Sequence, residues 1–391
     1  MNKFYKTCLL FYFLSIQLFG FQNNKHVVVG AERILEYEKV ISNKSIGLLV
    51  NQTSMVKNKH LIDTLVNLGF DIKKIFTPEH GFKGAIERGK KIENDTLKIE
   101  NKKIPIISMY GLNRIPSDES MLGIDIVIFD IQDVGARFYT YISAMHNMMV
   151  KCAKLKIEFL ILDRPNPNGN YIDGPVLEKE FKSYVGMHEI PIVHGCTVGE
   201  LAKMIKGEKW IDNSQDLKLN IIKVKNWDHT KNYILPVKPS PNLPNHQSIL
   251  LYPSLCLFEQ TIISIGRGTE FPFQIIGHPQ SSIKDYNFTP KSIIEESKPK
   301  FENKISYGID LRKKKVDKKI NLKYLIDFYN DLKKIDDSFF GKYFFRIAGN
   351  KTLENQIISG LSENEIRASW QEKIDSYKVI RKKYLLYKDF E

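Results

Sequence analysis

The chain has 391 residues, 42% of them apolar, and a net charge of +13 at pH 7. That length and apolar content support a large core and more than one domain, and exclude a disordered chain. The lysine excess reads as a solvated surface, because no aromatic-interleaved basic helix or zinc-finger spacing accompanies it, and nucleic acid is excluded as a partner.

The chain opens with MNKFYKTCLLFYFLSIQLFGFQNN. Lys3 and Lys6 precede an uncharged apolar run from Cys8 to Phe21, the pattern of a secretory signal peptide over 1–21 and too short for a comfortable membrane span. The mature chain is therefore expected to be exported, to the periplasm or beyond, with no stable membrane insertion. Without Lys3 and Lys6 the net charge becomes +11. Cys152, Cys196 and Cys256 remain, with no C-x-x-C spacing, and read as small core residues.

Short runs rich in Ile, Val, Leu and Phe follow at 45–51, 71–76, 104–108, 125–131, 157–163 and 217–224. Helical patterns lie between several of them. Leu61, Leu65 and Leu68 share one face over 61–69, and Ile142, Met145, Met149 and Cys152 share one over 141–155. Thr197 and Glu200 form a capping box that opens a helix over 197–205. Near-continuous apolar strands alternating with helices predict an α/β fold: a Rossmann-like three-layer domain with a mostly parallel sheet over 25–245. The proline-rich PVKPSPNLPNHQS (236–248) leads into a smaller α+β domain over 246–391, with a strand at 303–311 and a helix at 322–334. In the last helix Ser362 and Glu365 form a capping box, with Leu361 and Ile366 as its staple. Ile366, Trp370, Ile374, Tyr377 and Tyr384 form a core-facing stripe.

In an open parallel sheet the ligand crevice lies at the carboxyl ends of the strands. The run at 71–76 delivers Glu79 and His80 to that rim. The run at 125–131 delivers Asp130, Asp133, Arg137, Tyr139 and Tyr141, and the run at 157–163 delivers Asp163, Arg164 and Asn166. HEIPIVHG brings His188, Glu189 and His194. No G-x-G-x-x-G follows the first strand, and neither a Walker A motif nor G-x-S-x-G occurs, which disfavours a dehydrogenase or a serine hydrolase. Two chemistries stay open on these residues. Glu79, His80, Asp130, Asp133 and His194 could hold a metal that activates water, although no H-x-H or H-E-x-x-H spacing supports one. Alternatively a carboxylic acid protonates a glycosidic oxygen beside an aromatic sugar platform.

PEHGFKG, DIQDVGARFYTYI, LDRPNP, MHEIPIVHGCTVGELA, PSPNLP, YPSLCLFEQTIISIGRGTEFPFQIIGHP and LSENEIRASWQEKIDSYKVIRKKYLLY resemble, in order and over nearly the whole mature chain, the exo-β-N-acetylmuramidases of the NamZ type. The resemblance implies an exo-acting glycoside hydrolase that releases N-acetylmuramic acid from non-reducing ends of peptidoglycan fragments. It implies a cleft between a Rossmann-like and a smaller domain, no metal or organic cofactor, and Glu79 as general acid. That role asks for a carboxyl shielded enough to hold its proton. His80, Asp133 and His194 are then expected to position a proton or a water. Arg137, Arg164 and Arg267 are expected to read the lactyl carboxylate bidentately. Tyr139, Tyr141, Asn166, Asn242, Glu259 and Glu270 complete the expected substrate contacts. The chain departs from the family's F-E-G-T-N at Gln260 and Ile262, and carries Cys196 and Gln280 where Met and an aromatic are usual. A non-catalytic muropeptide-binding protein is the remaining alternative.

Overall fold

The computed structural model describes residues 26–391 apart from 88, 91, 100, 101, 112, 113, 336 and 337, so the leader expected over 1–21 lies outside the described residues. Seven strands form the main sheet: β1 (Ser45–Val50), β4 (Asp71–Thr77), β5 (Asp95–Ile99), β6 (Lys102–Ser108), β7 (Ile126–Asp130), β8 (Glu158–Leu162) and β9 (Leu219–Ile222). A small hairpin, β2 (Met55–Val56) and β3 (Lys59–His60), follows β1. The sheet order is β5-β6-β4-β1-β7-β8-β9. Every pairing in it is parallel except that of β5 with β6.

Alternation along each central strand feeds two separate cores. Ile46, Leu48, Val50, Ile126, Ile128, Leu160 and Leu162 face one side, where helices Ile34–Ile41 and Leu61–Asn67 cover them. Leu49, Val127, Phe129, Phe159 and Ile161 face the other, under helices Tyr141–Leu155 and Val198–Gly207. Burial on both faces is why these strands read as unbroken apolar runs. From β1 the chain builds outward through β4 and β6, then returns to β7 on the other side. The switch point lies at β1, flanked by the carboxyl ends of β4 and β7.

The second half carries the antiparallel sheet β10-β12-β11, from β10 (Ile275–His278), β11 (Tyr286–Phe288) and β12 (Ser306–Asp310). Helices Lys323–Leu332, Phe344–Ala348, Thr352–Ile358 and Glu363–Lys382 follow. Both expected capping boxes are present, at Thr197–Glu200 and Ser362–Glu365. Ile366, Trp370, Ile374 and Tyr377 are buried in the same core cluster as Leu201 and Met204 of the first half. The Tyr377 hydroxyl donates to the His194 carbonyl at 2.6 Å, and Arg381 donates to the Gly195 carbonyl at 2.8 Å. One continuous core therefore runs through both halves. Cys152, Cys196 and Cys256 are buried within it, and none of the three is in a disulfide.

Several details differ from expectation. Leu68 is 54% exposed, because its helix ends at Asn67. Tyr384 lies past the end of the last helix, where it is half-buried against the same core and donates to Glu208 Oε1 at 2.7 Å. Helix His246–Leu255 occupies the end of the proline-rich crossing. Its capping box uses Asn245 with Ser248, and ILLYPSL is apolar on every side, so neither box chemistry nor periodicity announced it.

Candidate active site

β4 ends at Thr77 and the chain turns at once. His80 (φ +71°) and Gly81 (φ +74°) are both left-handed. His80 Nδ1 bonds the Ile86 carbonyl at 2.7 Å, and the Ile86 amide donates back to the His80 carbonyl at 3.2 Å. The imidazole thus closes the loop that presents Glu79. A Cβ on Gly84 (φ +62°) would fall 2.0 Å from Gln52 Cδ. Glycine there lets Gln52 pass and donate to the carbonyls of Lys238 and Pro239, tying the loop to the proline-rich segment.

Glu79 is half-buried. Tyr110 Oη donates to its Oε1 at 2.8 Å and Thr140 Oγ1 donates to its Oε2 at 2.8 Å, which fixes the plane of the carboxylate. Burial, with the Glu79 charge beside it, holds the Tyr110 phenol well above its usual pKa, so it remains a donor.

Glu79 and Thr140 stand between two spaces. On one side is a cavity of about 210 Å³ that also takes in His80, Tyr139, Tyr141, Asn242, Glu259, Gln260 and Arg267, from both halves of the chain. On the other is a larger recess of about 700 Å³, with Tyr110, Arg114, Lys182, Tyr184, Glu296 and Arg346 on its walls. Asn242 Nδ2 is buried without a hydrogen-bond partner among the described residues and lines the smaller cavity. The unusual Gln260 lines it too.

Seven of the thirteen expected site residues therefore meet: Glu79, His80, Tyr139, Tyr141, Asn242, Glu259 and Arg267. Three of these do something other than expected. Tyr139 and Tyr141, edge to face at 4.7 Å, both donate to the Pro239 carbonyl at 3.0 Å, so their hydroxyls hold the loop carrying Ser240 and Asn242 and are not free for a sugar. Arg267 is ion-paired with Glu259 and, at 3.4 Å, with Glu296, so its charge is already answered.

The other six lie elsewhere. Arg137 is fully buried and donates to the carbonyls of Pro175, Ile190, Ile347 and Ala348 at 2.7–3.1 Å. It clasps the two halves together and does not face a ligand. Arg164 holds Asp130 bidentately at 2.6 and 2.9 Å beneath the sheet edge. Asn166 bridges the Cys196 carbonyl and the Asn168 amide. Asp133 is buried behind the tyrosines. Its Oδ2 accepts from the Gly135 amide at 2.6 Å, and burial pushes its carboxyl up to about 7. His194 is buried at the joint with the last helix. Its Nδ1 accepts from the Cys196 amide at 3.2 Å, and burial pushes its pKa down to about 3, leaving it neutral. Glu270 lies in a separate open groove that shares Asn242 with the cavity. With Asp133 and His194 thus removed, the metal cluster weighed as an alternative does not assemble, and no group of three or more His, Cys, Asp or Glu suited to an ion occurs among the described residues.

Tyr110, Thr140, Arg114 and Arg346 were not foreseen. Thr140 sits between the two tyrosines of RFYTY, and Tyr110 follows β6, whose carboxyl end lies on the same rim, so strand order alone could have found both.

A carboxylate held at the switch point of a parallel sheet, under a second lobe that completes its cavity, defines a two-lobed α/β enzyme. Residues 46–247 match the family described as exo-beta-N-acetylmuramidase NamZ, N-terminal, and residues 250–387 match its C-terminal counterpart. The chain belongs to the NamZ exo-β-N-acetylmuramidase family, and is a glycoside hydrolase. It is 35% identical over 384 residues to the peptidoglycan β-N-acetylmuramidase NamZ of Bacillus subtilis (strain 168), covering 92% of this chain and 91% of that one. Crystal structures of two DUF1343 family proteins from Bacteroides fragilis share the fold. One is 45% identical with a TM-score of 0.84, the other 26% identical with a TM-score of 0.77, and each alignment covers 93% of this chain and 99% of that chain.

Proposed function

We propose that the protein removes N-acetylmuramic acid from the non-reducing ends of peptidoglycan fragments, with Glu79 as general acid. The observation that carries this reading is the position of Glu79 between a small cavity and a larger recess. Exo-cleavage asks for that arrangement: one terminal sugar in the small space, the rest of the chain outside it, and a proton donor at their junction. Tyr110 and Thr140 aim the carboxyl, and in the reaction it gives its proton to the bridging oxygen as the bond to the anomeric carbon lengthens. The leaving sugar departs as an alcohol, and one water supplies the hydroxyl that the anomeric carbon finally carries and the proton that restores Glu79. Asn242 Nδ2 is one donor of the cavity lining without a partner among the described residues, and it suits a sugar hydroxyl or acetamido oxygen. The experiment that tests the reading compares turnover of two disaccharides, one ending in N-acetylmuramic acid and one in N-acetylglucosamine. The first is expected to be cleaved at least tenfold faster, because a site that pairs a charged group loses about 1.5–3 kcal/mol when that group is missing. Equal rates contradict the proposal.

Export to the periplasm remains part of the proposal and rests on residues 1–21. Fractionation should recover a shortened chain outside the cytoplasm, and a full-length chain in the cytosol contradicts it.

A further inference from the structure

If the reading above holds, something must recognise the acid that distinguishes N-acetylmuramic acid, and the three arginines expected to do so are all engaged. Arg137 is spent on carbonyls, Arg164 on Asp130, and Arg267 on Glu259 and Glu296. In the small cavity Glu79 and Glu259 face a single, already paired, arginine. A carboxylate placed there would meet net negative charge.

The recess has the reverse balance: Arg114, Lys182 and Arg346 stand on its walls against Glu79 and Glu296, and Glu296 already meets Arg267. Lys182 pairs with Glu189 at 2.9 Å, but Arg114 and Arg346 pair with no carboxylate among the described residues. Each guanidinium lies over a ring, Arg114 at 4.2 Å from the Tyr184 centroid and Arg346 at 4.3 Å from that of Tyr343. Stacking fixes the plane and leaves the N–H edge for a planar anion. Two hydroxyls of the same wall, Ser183 Oγ and Tyr184 Oη, are buried with no hydrogen-bond partner among the described residues. Buried hydroxyls are normally satisfied, so two unsatisfied ones beside two unpaired arginines mark a place where a ligand supplies the partners.

We infer that this recess is a carboxylate subsite, in which Arg114 and Arg346 bind the acid carried on the substrate's lactyl ether or on the peptide attached to it. The acid belongs either to the terminal sugar or to a sugar beyond the cleaved bond.

The test uses the wild-type protein, Arg114→Ala, Arg346→Ala and the double variant. Three substrates separate the sources: a disaccharide ending in N-acetylmuramic acid, the same disaccharide with its lactyl acid amidated, and a trisaccharide carrying a second lactyl acid beyond the scissile bond. For an acid-bearing substrate the double variant should lose roughly ten- to hundredfold in kcat/KM, mostly through KM, and should treat the acid and amide substrates alike. Loss on the disaccharide assigns the subsite to the terminal acid, and loss confined to the trisaccharide assigns it to the leaving side. Unchanged kinetics on all three, or equal losses on acid and amide, overturn the inference. Calorimetric binding of the acid and amide disaccharides to the same proteins reads the subsite without turnover. Should wild type bind both and cleave neither, the activity reading fails, and the binding comparison still decides the recess.

Discussion

Asp133 carries the right functional group on the right rim, yet its surroundings give it a different role. Burial raises its carboxyl to about 7, against hydrogen bonds from the Gly135 and Val134 amides that pull the other way. Between about pH 4 and pH 7 the unfolded chain releases this proton while the folded chain keeps it, so the folded state loses stability across that window and no further above it. Asp133→Asn removes the titration. The melting temperature of the variant relative to wild type should therefore climb from pH 4 to pH 7 and level off beyond. A difference that does not change with pH contradicts the assignment. Residue types at the ends of strands were legible in the sequence, which is why Glu79 and His80 were found, whereas Asn242, Glu259 and Arg267 came with the family resemblance. Side-chain depth was not. Whether an arginine meets carbonyls, as Arg137 does, or a carboxylate, as Arg164 does, depends on segments as distant as Ile347.

The central strands and the two clear helices announced themselves because burial on both faces, or on one stripe, leaves a periodic trace. Elements without that trace were missed. β5 alternates weakly at the sheet edge, helix Ile34–Ile41 has only two turns, and helix His246–Leu255 is apolar all round. The joints between elements are where the sequence was least legible, and Arg137 is the main one. It caps the C-terminal carbonyls of helix Phe344–Ala348, and Gly349 (φ +86°) makes room for it, since a Cβ there would lie 2.5 Å from Nη2. Arg137→Leu leaves the Pro175, Ile347 and Ala348 carbonyls without their donor, while the Ile190 carbonyl keeps the Leu177 amide. Each orphaned acceptor costs about 1–3 kcal/mol, so denaturant unfolding should report a loss of more than about 3 kcal/mol. A loss below about 1 kcal/mol would mean that the clasp is not structural.

The two halves meet along the last helix and around Arg137, and they meet again at the cavity. The first half contributes Glu79 with its two hydroxyl donors, and the second contributes Glu259 and Arg267. The shared core holds these pieces in register, so the position of one carboxyl at the junction of cavity and recess is a property of both halves together. That carboxyl is the centre of the account, and its role has a direct test. Rates of wild type and Glu79→Gln are compared on two glycosides of N-acetylmuramic acid, one with a sugar leaving group and one with a nitrophenolate that departs without a proton. Turnover of the first should fall roughly 10²–10⁴-fold, while the second slows by less than about tenfold. Equal losses on both, or undiminished cleavage of the sugar-leaving substrate, would show that Glu79 is not the proton donor.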